Sequence, residues 1–574
     1  MTYRAPLSDY RFLLDRVLGF ADVAATARFA DATPDMVDAI LTSAARLCED
    51  TLAPLNRAGD RHPARLENGV VRTSPGFADG YRAIAGGGWV GMAADPAQGG
   101  MGLPMALTTC VNDMMGAACL ALQLNPLMTQ GQIEALEHHA SDAIKAVYLP
   151  RLIAGDWNGT MNLTEPQAGS DVGALRARAE ANGDGSYAVS GQKIFISWAD
   201  NDFTENTCHL VLARLPNGEP GTKGISLFLV PKFIPDAAGR PGARNALQVV
   251  SLEHKMGLHG SPTAVMQYDG ATGWLIGAPH RGMAAMFTMM NNARLGVGMQ
   301  GVCQAEGAYQ HALAYAGGRK QGRTPPEAGP QSGTTDGAII DHADVRRMLA
   351  EMRAETYAAR AIGLACAVAI DMARATGDAA WSARAALLTP IAKSTGTDTG
   401  CHVAELGVQV HGGMGFIEET GAAQYYRDVR VTAIYEGTNG IQAMDLVGRK
   451  MADDGEAAFR LIEEMQTTAE AARAALPDLA TPVWSAAEAL REATDALLAM
   501  PMTDRFAGSV AYLRAFARVL GSHYHLKSAA ADASRADLAR FAIRRLLPEH
   551  AALIAQMREG AAGVYAITPQ VLHG

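Results

Sequence analysis

The chain has 574 residues, 48% hydrophobic and 19% charged, which excludes an intrinsically disordered protein and is enough for several domains sharing extensive core. A formal net charge of -10 excludes broad nucleic-acid affinity, which needs a concentrated basic face, so a phosphate-bearing ligand must be held by a few placed groups. The seven cysteines (Cys48, Cys110, Cys119, Cys208, Cys303, Cys366, Cys401) contain no CxxC pair, suggest neither a disulfide framework nor a zinc site, and read mostly as small buried hydrophobes.

The opening Met1-Thr-Tyr-Arg-Ala-Pro soon meets Asp9 and Asp15 without an apolar signal region, and no uncharged apolar run is read as long enough to span a membrane; a soluble cytoplasmic protein is expected. Residues 1–157 carry a helical pattern, as where Thr33 caps, Pro34 opens the first turn, and Met36, Val37, Ile40, Leu41, Ala44 and Leu47 form a stripe. A Gly-rich break over residues 86–102 demands a structured loop. Residues 158–282 change to strands, with Asn182-Gly183-Asp184-Gly185 as a turn before Tyr187, and a strand from Ile225 to Val230 stopped by Pro231. Residues 283–450 return to helices. They are interrupted by a Pro/Gly-rich insert at 323–338 that predicts an exposed excursion. Residues 451–574 form an Ala-rich helical extension in which Pro477 and Pro482 are expected to separate helices.

Helices, then strands, then helices predict an α+β fold and not the alternating units of a doubly wound nucleotide fold. That order decides the reading of Gly296-Val-Gly-Met-Gln-Gly301, which matches GxGxxG letter for letter but lies inside a helical stretch; its small residues point to close helix packing.

Five blocks in order carry chemistry: Leu163-Thr-Glu-Pro-Gln-Ala-Gly-Ser-Asp171, Gly191-Gln-Lys-Ile-Phe-Ile-Ser197, Lys255-Met-Gly-Leu258, Gln409-Val-His-Gly-Gly413 and Ile434-Tyr-Glu-Gly-Thr-Asn-Gly-Ile-Gln442. From about residue 35 to 450 the chain thereby resembles the acyl-CoA dehydrogenase family. The resemblance implies a helical N-terminal domain, a middle β barrel or sandwich and a C-terminal four-helix bundle, here with an extra helical domain. It also implies FAD as cofactor, since dehydrogenating a saturated acyl chain needs a two-electron acceptor that side chains do not supply.

On that resemblance, Glu436 is the base that removes the α-proton of an acyl-CoA while a β-hydrogen leaves as hydride to the flavin, giving a trans-2-enoyl-CoA. Burial would strengthen such a base, and Gly437 would let the chain approach the thioester carbonyl. Some relatives carry the base one residue before an arginine at the start of the C-terminal helices. Here that position is Ala293, which takes no proton, and Arg294 is expected beside the acyl-CoA site or, in the blander reading, in a surface salt bridge. The flavin's pyrimidine edge would meet Met161, Leu163, Thr164, Gly169 and Ser170, with Ser170 also near the coenzyme A path. Strand alternation puts Phe195 and Ser197 on one face with Ile196 between, so that Phe195 covers the isoalloxazine or instead turns into the β core. Arg319 would meet the pyrophosphate of a neighbouring subunit's flavin, Gln409, Gly412 and Gly413 its adenosine, and Thr438 and Gly440 the flavin again. Scattered histidines (His254, His259, His402, His411) show no metal-ligand spacing, and no metal is expected.

The Arg4-Ala-Pro-Leu-Ser-Asp9 opening, Met256-Gly-Leu-His-Gly-Ser-Pro-Thr263 and the extension are similar to the subgroup containing 3-methylthiopropanoyl-CoA dehydrogenases. The resemblance implies electron transfer to an electron-transferring flavoprotein and a homodimer. Three other readings stay open: a straight-chain acyl-CoA dehydrogenase, an acyl-CoA oxidase using O₂, and a catalytically silent binding protein.

Overall fold

Thr33 sits in extended backbone, its Oγ1 accepts from the Met36 N–H at 3.3 Å, and α1 (Pro34–Arg46) buries Ile40, Leu41, Ala44 and Ala45, as the sequence stripe requires. The computed structural model describes residues 3–323 and 337–574, so most of the 323–338 insert lies outside the described residues. The first helical layer continues with α2 (Phe77–Gly86), α3 (Met105–His139) and α4 (Asp142–Ala154). The Gly-rich break forms the loop between α2 and α3, with Gly88, Gly99 and Gly102 at positive φ.

A seven-stranded sheet follows: β1 (Trp157–Asn162), β2 (Arg178–Ala181), β3 (Tyr187–Ser197), β4 (Asn206–Arg214), β5 (Ile225–Pro231), β6 (Leu247–Leu252) and β7 (Thr263–Ile276), with a short separate hairpin, Phe233–Pro235 and Pro241–Arg244, between β5 and β6. Their pairing closes on itself. β3 pairs with β2 and β7, β7 with β5, β5 with β4, and β4 meets β2 at Arg178 and Arg214; β1 adds parallel to β4, and β6 antiparallel to β7. Val189, Ile196, Val211, Phe228, Val230 and Tyr268 fill this barrel.

Three long helices then stack: α5 (Gly282–Gly318), α6 (Ala343–Thr376) and α7 (Ala379–His411), followed by the short α8 (Ala422–Val429) and α9 (Asn439–Gly448). α5 and α7 run parallel with backbones in contact. A Cβ on Gly301 would stand 2.1 Å from the Gly396 carbonyl oxygen, one on Gly396 2.1 Å from that of Gly298, and one on Gly400 2.5 Å from that of Gly301. The GxGxxG letters are therefore a helix-packing seam, as their place inside a helix predicts.

The extension comprises α10 (Glu456–Ala472), α11 (Pro477–Ala499), α12 (Met502–Ala531) and α13 (Glu549–Arg558). It is bound to the bundle through Arg518 to Glu355 (3.0 Å) and Tyr357 to Ser528 (2.7 Å). Beneath it, Arg360 is fully buried and pairs with Asp113 (2.7 Å) and Glu306 (2.9 Å), joining α6 to α3 and α5.

Two expectations are corrected. Pro477 opens α11, but Pro482 lies inside that helix near its start, where the loss of one main-chain hydrogen bond is tolerated because Leu479, Ala480 and Val483 are buried around it. α3 and α6 are in fact long and apolar enough to cross a membrane by length and composition; their burial within the fold is what marks them as core helices.

Gly301→Ala forces a methyl group against a main-chain carbonyl that cannot rotate away. We expect it to destabilise the fold by about 1–3 kcal/mol or more, seen as a lower denaturation midpoint, whereas Gly440→Ala, whose Cβ meets nothing closer than 3.8 Å, should shift it far less.

Candidate active site

The Tyr-Glu-Gly turn lies between a short turn ending at Ala433 and the start of α9. Glu436 has φ +56° and Gly437 φ +81°, so a glutamate occupies left-handed backbone at a cost of about 1 kcal/mol. Three clamps hold it there. The Tyr435 hydroxyl donates to Gln300 Oε1 on α5. Buried Gln442 donates Nε2 to the Glu436 carbonyl (3.1 Å) and weakly to that of Gly437 (3.4 Å). Asn439, first residue of α9, accepts at Oδ1 from Lys393 Nζ (2.8 Å) and donates to Thr397 (3.0 Å) and Asp398 (2.6 Å) on α7. Glycine at 437 is favoured by its left-handed φ, and a Cβ there would stand 2.8 Å from Gln442 Nε2 and push that side chain off the carbonyls it binds. Thr438 caps α9, accepting from the Ile441 N–H at 3.2 Å, and Gly440 follows in the first turn.

Glu436 is half-buried, and desolvation raises its carboxyl pKa to about 7 against the opposing charges of Arg294 and Lys393. Arg294 is buried on α5 and pairs with Asp445 on α9 (3.2 Å), which excludes the surface salt bridge; its Nε has no partner. Ala293 beside it is buried and offers no acceptor. The sequence blocks did not single out Lys393, which is fully buried on α7 with its pKa lowered to about 8 by desolvation. A lysine in an otherwise apolar and small-residue helical stretch is the signal that was available.

Across the barrel edge, Met161, Leu163 and Thr164 are half-buried at and after the end of β1, while Gly169 and Ser170 are exposed on the loop that follows. This loop is pinned to β3. The Thr164 carbonyl accepts from the Ile194 N–H (2.9 Å), and buried Lys193 donates to the Leu163 carbonyl (2.9 Å) and to Glu165 (2.8 Å). Burial alone would raise Glu165, but Lys193 and the N–H groups of Arg176 and Ala177 hold it below the ordinary carboxylate range. Glu165 and Lys193 stand in the quoted blocks, yet only the fold shows that they meet.

β3 is not a regular strand where Phe195 sits. Its register on β7 slips between Lys193 and Ile196, and the extra residue puts Phe195 at φ +61° with 59% of its surface exposed. Ile196 points into the barrel core, so only its main chain is open to a ligand; Ser197 is half-buried. The alternative of a core Phe195 is thus excluded.

Arg319 ends α5, exposed, 25 residues beyond Arg294 and so about 37 Å from it along the helix. Gln409, Gly412 and Gly413 are exposed at the matching end of α7, where His411 stacks on Tyr315 (4.3 Å). The fold therefore brings the expected residues together in three sets: Glu436, Gly437, Thr438, Gly440 and Arg294 at one place, Met161, Leu163 and Thr164 with the Phe195–Ser197 strand at the barrel edge, and Arg319, Gln409, Gly412 and Gly413 at the far end of α5 and α7. His402, whose spacing carried no metal signal, meets Glu351 (2.9 Å) and lies in a cluster with Glu355, but Arg347 and Arg518 already engage those two carboxylates.

Four family descriptions match along the chain: acyl-CoA dehydrogenase N-terminal domain (35–156), middle domain (160–271) and C-terminal domain (280–452), then an acetyl-CoA dehydrogenase C-terminal-like domain (461–568). The chain belongs to the acyl-CoA dehydrogenase family. These are flavoprotein oxidoreductases acting on CH–CH bonds. This family member is 44% identical to 3-methylmercaptopropionyl-CoA dehydrogenase of Ruegeria pomeroyi over 89% of this chain and 88% of that one. It is 34% identical to a butyryl-CoA dehydrogenase of Syntrophomonas wolfei over 72% and 70%. Its fold is shared with Caenorhabditis elegans ACDH-11 in complex with C11-CoA, at TM-score 0.79 and 20% identity over 95% and 91% of the two chains.

The raised Glu436 carboxyl makes a stability statement. A carboxyl whose folded pKa lies above the unfolded value contributes stability that is fully present below the ordinary value of about 4 and is lost as pH rises through about 7. Glu436→Gln keeps the neutral form at every pH, so its melting temperature should rise relative to wild type between about pH 5 and about pH 8. A constant difference across that interval would mean that the carboxylate is not desolvated.

Proposed function

We propose that this dehydrogenase is FAD-dependent, uses Glu436 as the base and acts on 3-methylthiopropanoyl-CoA. The observation that carries the base is one carboxylate, pushed up to about 7 by desolvation and fixed in strained backbone by clamps from α5, α7 and α9. The observation that supports the substrate is the 44% identity, over most of both chains, with the Ruegeria enzyme of that name.

The residues present fit a flavin. Phe195 is an aromatic ring held outside the β core beside the pinned Thr164 main chain, which suits a flat ring system, and Gln442 Oε1 and Arg294 Nε are buried polar atoms without partners. Met161, Leu163, Thr164, Gly169, Ser170, Phe195, Ile196 and Ser197 would hold the isoalloxazine side, with Thr438 and Gly440 closing from α9. Arg319, with Gln409, Gly412 and Gly413 at the matching end of α7, lies about 37 Å along α5 from Arg294. They are assigned to the adenosine half of a second subunit's cofactor, which supports a homodimer.

When bound, the flavin supplies the two-electron acceptor for the β-hydrogen. The chain's own residues do the rest. The Glu436 carboxylate takes the α-proton, the main-chain N–H of Glu436 polarises the thioester carbonyl, and Gly437 leaves room for the ligand to approach. Ser170, exposed on its loop, faces the coenzyme A path. Arg294 holds positive charge near the base through its pair with Asp445. Reduced enzyme would pass electrons to an electron-transferring flavoprotein in the cytoplasm.

A straight-chain substrate is the second reading, favoured by the 34% identity with a butyryl-CoA dehydrogenase. Anaerobic bleaching of the flavin by a panel of acyl-CoAs separates the two: fastest bleaching by 3-methylthiopropanoyl-CoA is expected, and preference for butyryl-CoA would transfer the assignment. Glu436→Gln should bind flavin and ligand yet slow bleaching by about a thousandfold; near-normal rates would place the base elsewhere.

A further inference from the structure

Lys393 is a buried cation that the reaction as described does not use. It sits in the middle of α7 with no exposed surface, and among the described residues no carboxylate lies within 4.0 Å of its nitrogen. Its hydrogen bond goes instead to Asn439 Oδ1 at 2.8 Å. Burying an ammonium without a directly paired carboxylate costs several kcal/mol; a chain that needed only packing here would carry leucine or methionine.

Asn439 is three residues past Glu436 and opens α9. Every polar atom of its side chain is engaged by α7: Oδ1 takes the Lys393 bond, and Nδ2 reaches Thr397 Oγ1 and Asp398 Oδ1. The Glu436 turn is therefore tied to α7 at one amide, and the lysine is the charged member of that tie. Arg294, the other cation near Glu436, differs because Asp445 neutralises it at 3.2 Å and also receives Arg449 at 2.6 Å. The charge of Lys393 has no such direct answer, and Glu436 is one of the two anions it acts on, Asp398 being the other.

We propose that Lys393 is a positioning residue for the dehydrogenation: through Asn439 it fixes the Glu436 turn, and its unneutralised charge keeps the Glu436 carboxylate ionised and ready to accept the α-proton. This rests on reading Glu436 as the base. The charge matters most before proton transfer, when desolvation favours the neutral acid, which accepts no proton. The other charged or titratable groups facing this pair and its neighbour Asp398 are Cys401 on α7, Arg294 on α5, Arg514 on α12, Arg430 before the turn, Tyr435 within it, Asp445 on α9 and Arg449 just after it. None of the cations among them contacts the turn through Asn439.

The test compares the pH dependence of anaerobic flavin reduction by a saturating acyl-CoA in wild type, Lys393→Gln, Lys393→Arg and Asn439→Ala. Lys393→Gln keeps a donor for Asn439 and removes the charge. It should move the rising limb of the profile to higher pH, slowing reduction about tenfold below the limb while restoring near-wild-type rates at alkaline pH. Lys393→Arg keeps the charge and should leave the limb in place. Asn439→Ala keeps lysine and loses the tie, so it should slow reduction at all pH values without moving the limb.

A limb that stays fixed in Lys393→Gln overturns the proposal. If Lys393→Gln does not fold with flavin, the other two variants decide: a limb that stays in place in both, with slowed reduction in Asn439→Ala, supports the proposal, and a limb displaced in Lys393→Arg, which keeps the charge, or in Asn439→Ala, which keeps the lysine, overturns it. Glu436→Gln run alongside keeps the two readings apart, because activity surviving in that variant dismisses the base itself, whatever happens at Lys393.

Discussion

The contact on which the rest depends is the one between α5 and α7, where Gly298 and Gly301 face Gly396 and Gly400 with no side chains between them. Two long helices normally lie 8–10 Å apart because side chains fill the gap. Here main chain meets main chain, close enough for Cα–H groups to approach carbonyl oxygens. The seam sits just beyond Arg294 on one helix and just beyond Lys393 on the other. It therefore sets how near these two cations stand to each other and to the glutamate turn that lies across both helices.

With Glu436 as the proposed base, that turn meets competing demands. An effective base needs a carboxylate away from water, but desolvation by itself would neutralise it. Arg294 and Lys393 oppose neutralisation from the two helices of the seam, and Asp445 and Asn439 keep those cations from collapsing onto the glutamate. The left-handed backbone at Glu436 and Gly437 is tolerable because Gln442 binds the two carbonyls that the turn exposes. Strain, charge and hydrogen bonding are settled within one stretch from Tyr435 to Gln442.

The same economy appears on the barrel. One buried pair, Glu165 and Lys193, fixes the loop after β1 to the bulged end of β3, and the bulge turns Phe195 outward. In the bundle, the buried Arg360 network ties α6 to α3 and α5, and the Arg518–Glu355 and Tyr357–Ser528 contacts fasten the extension to α6. Replacing one member of the buried Glu165–Lys193 pair or of the Arg360 network would leave a dry charge short of its partner, which is costlier than the pair is stabilising.

The order of helices, strands and helices was legible in the sequence, and so were the cap at Thr33 and the packing role of the GxGxxG letters, because each depends on local chemistry: a proline and a hydroxyl at a helix start, and small residues at helical spacing. Glu436 entered as a candidate base through its block's resemblance to a family and keeps that role as a proposal. Pro482 misled because helix geometry forgives one missing bond when the surrounding face is buried. At α3 the reading passed over a stretch apolar enough to span a membrane, and hydropathy by itself does not separate such a stretch from a buried core helix. Tertiary structure alone decided that Arg294 pairs with Asp445, that Lys193 meets Glu165, that Phe195 leaves the barrel, and that Lys393 reaches Asn439 across 46 residues of chain. The physical reason is common to all four: a sequence shows which charges and rings a chain carries, but the field a buried group feels is set by neighbours that only folding brings within a few ångströms.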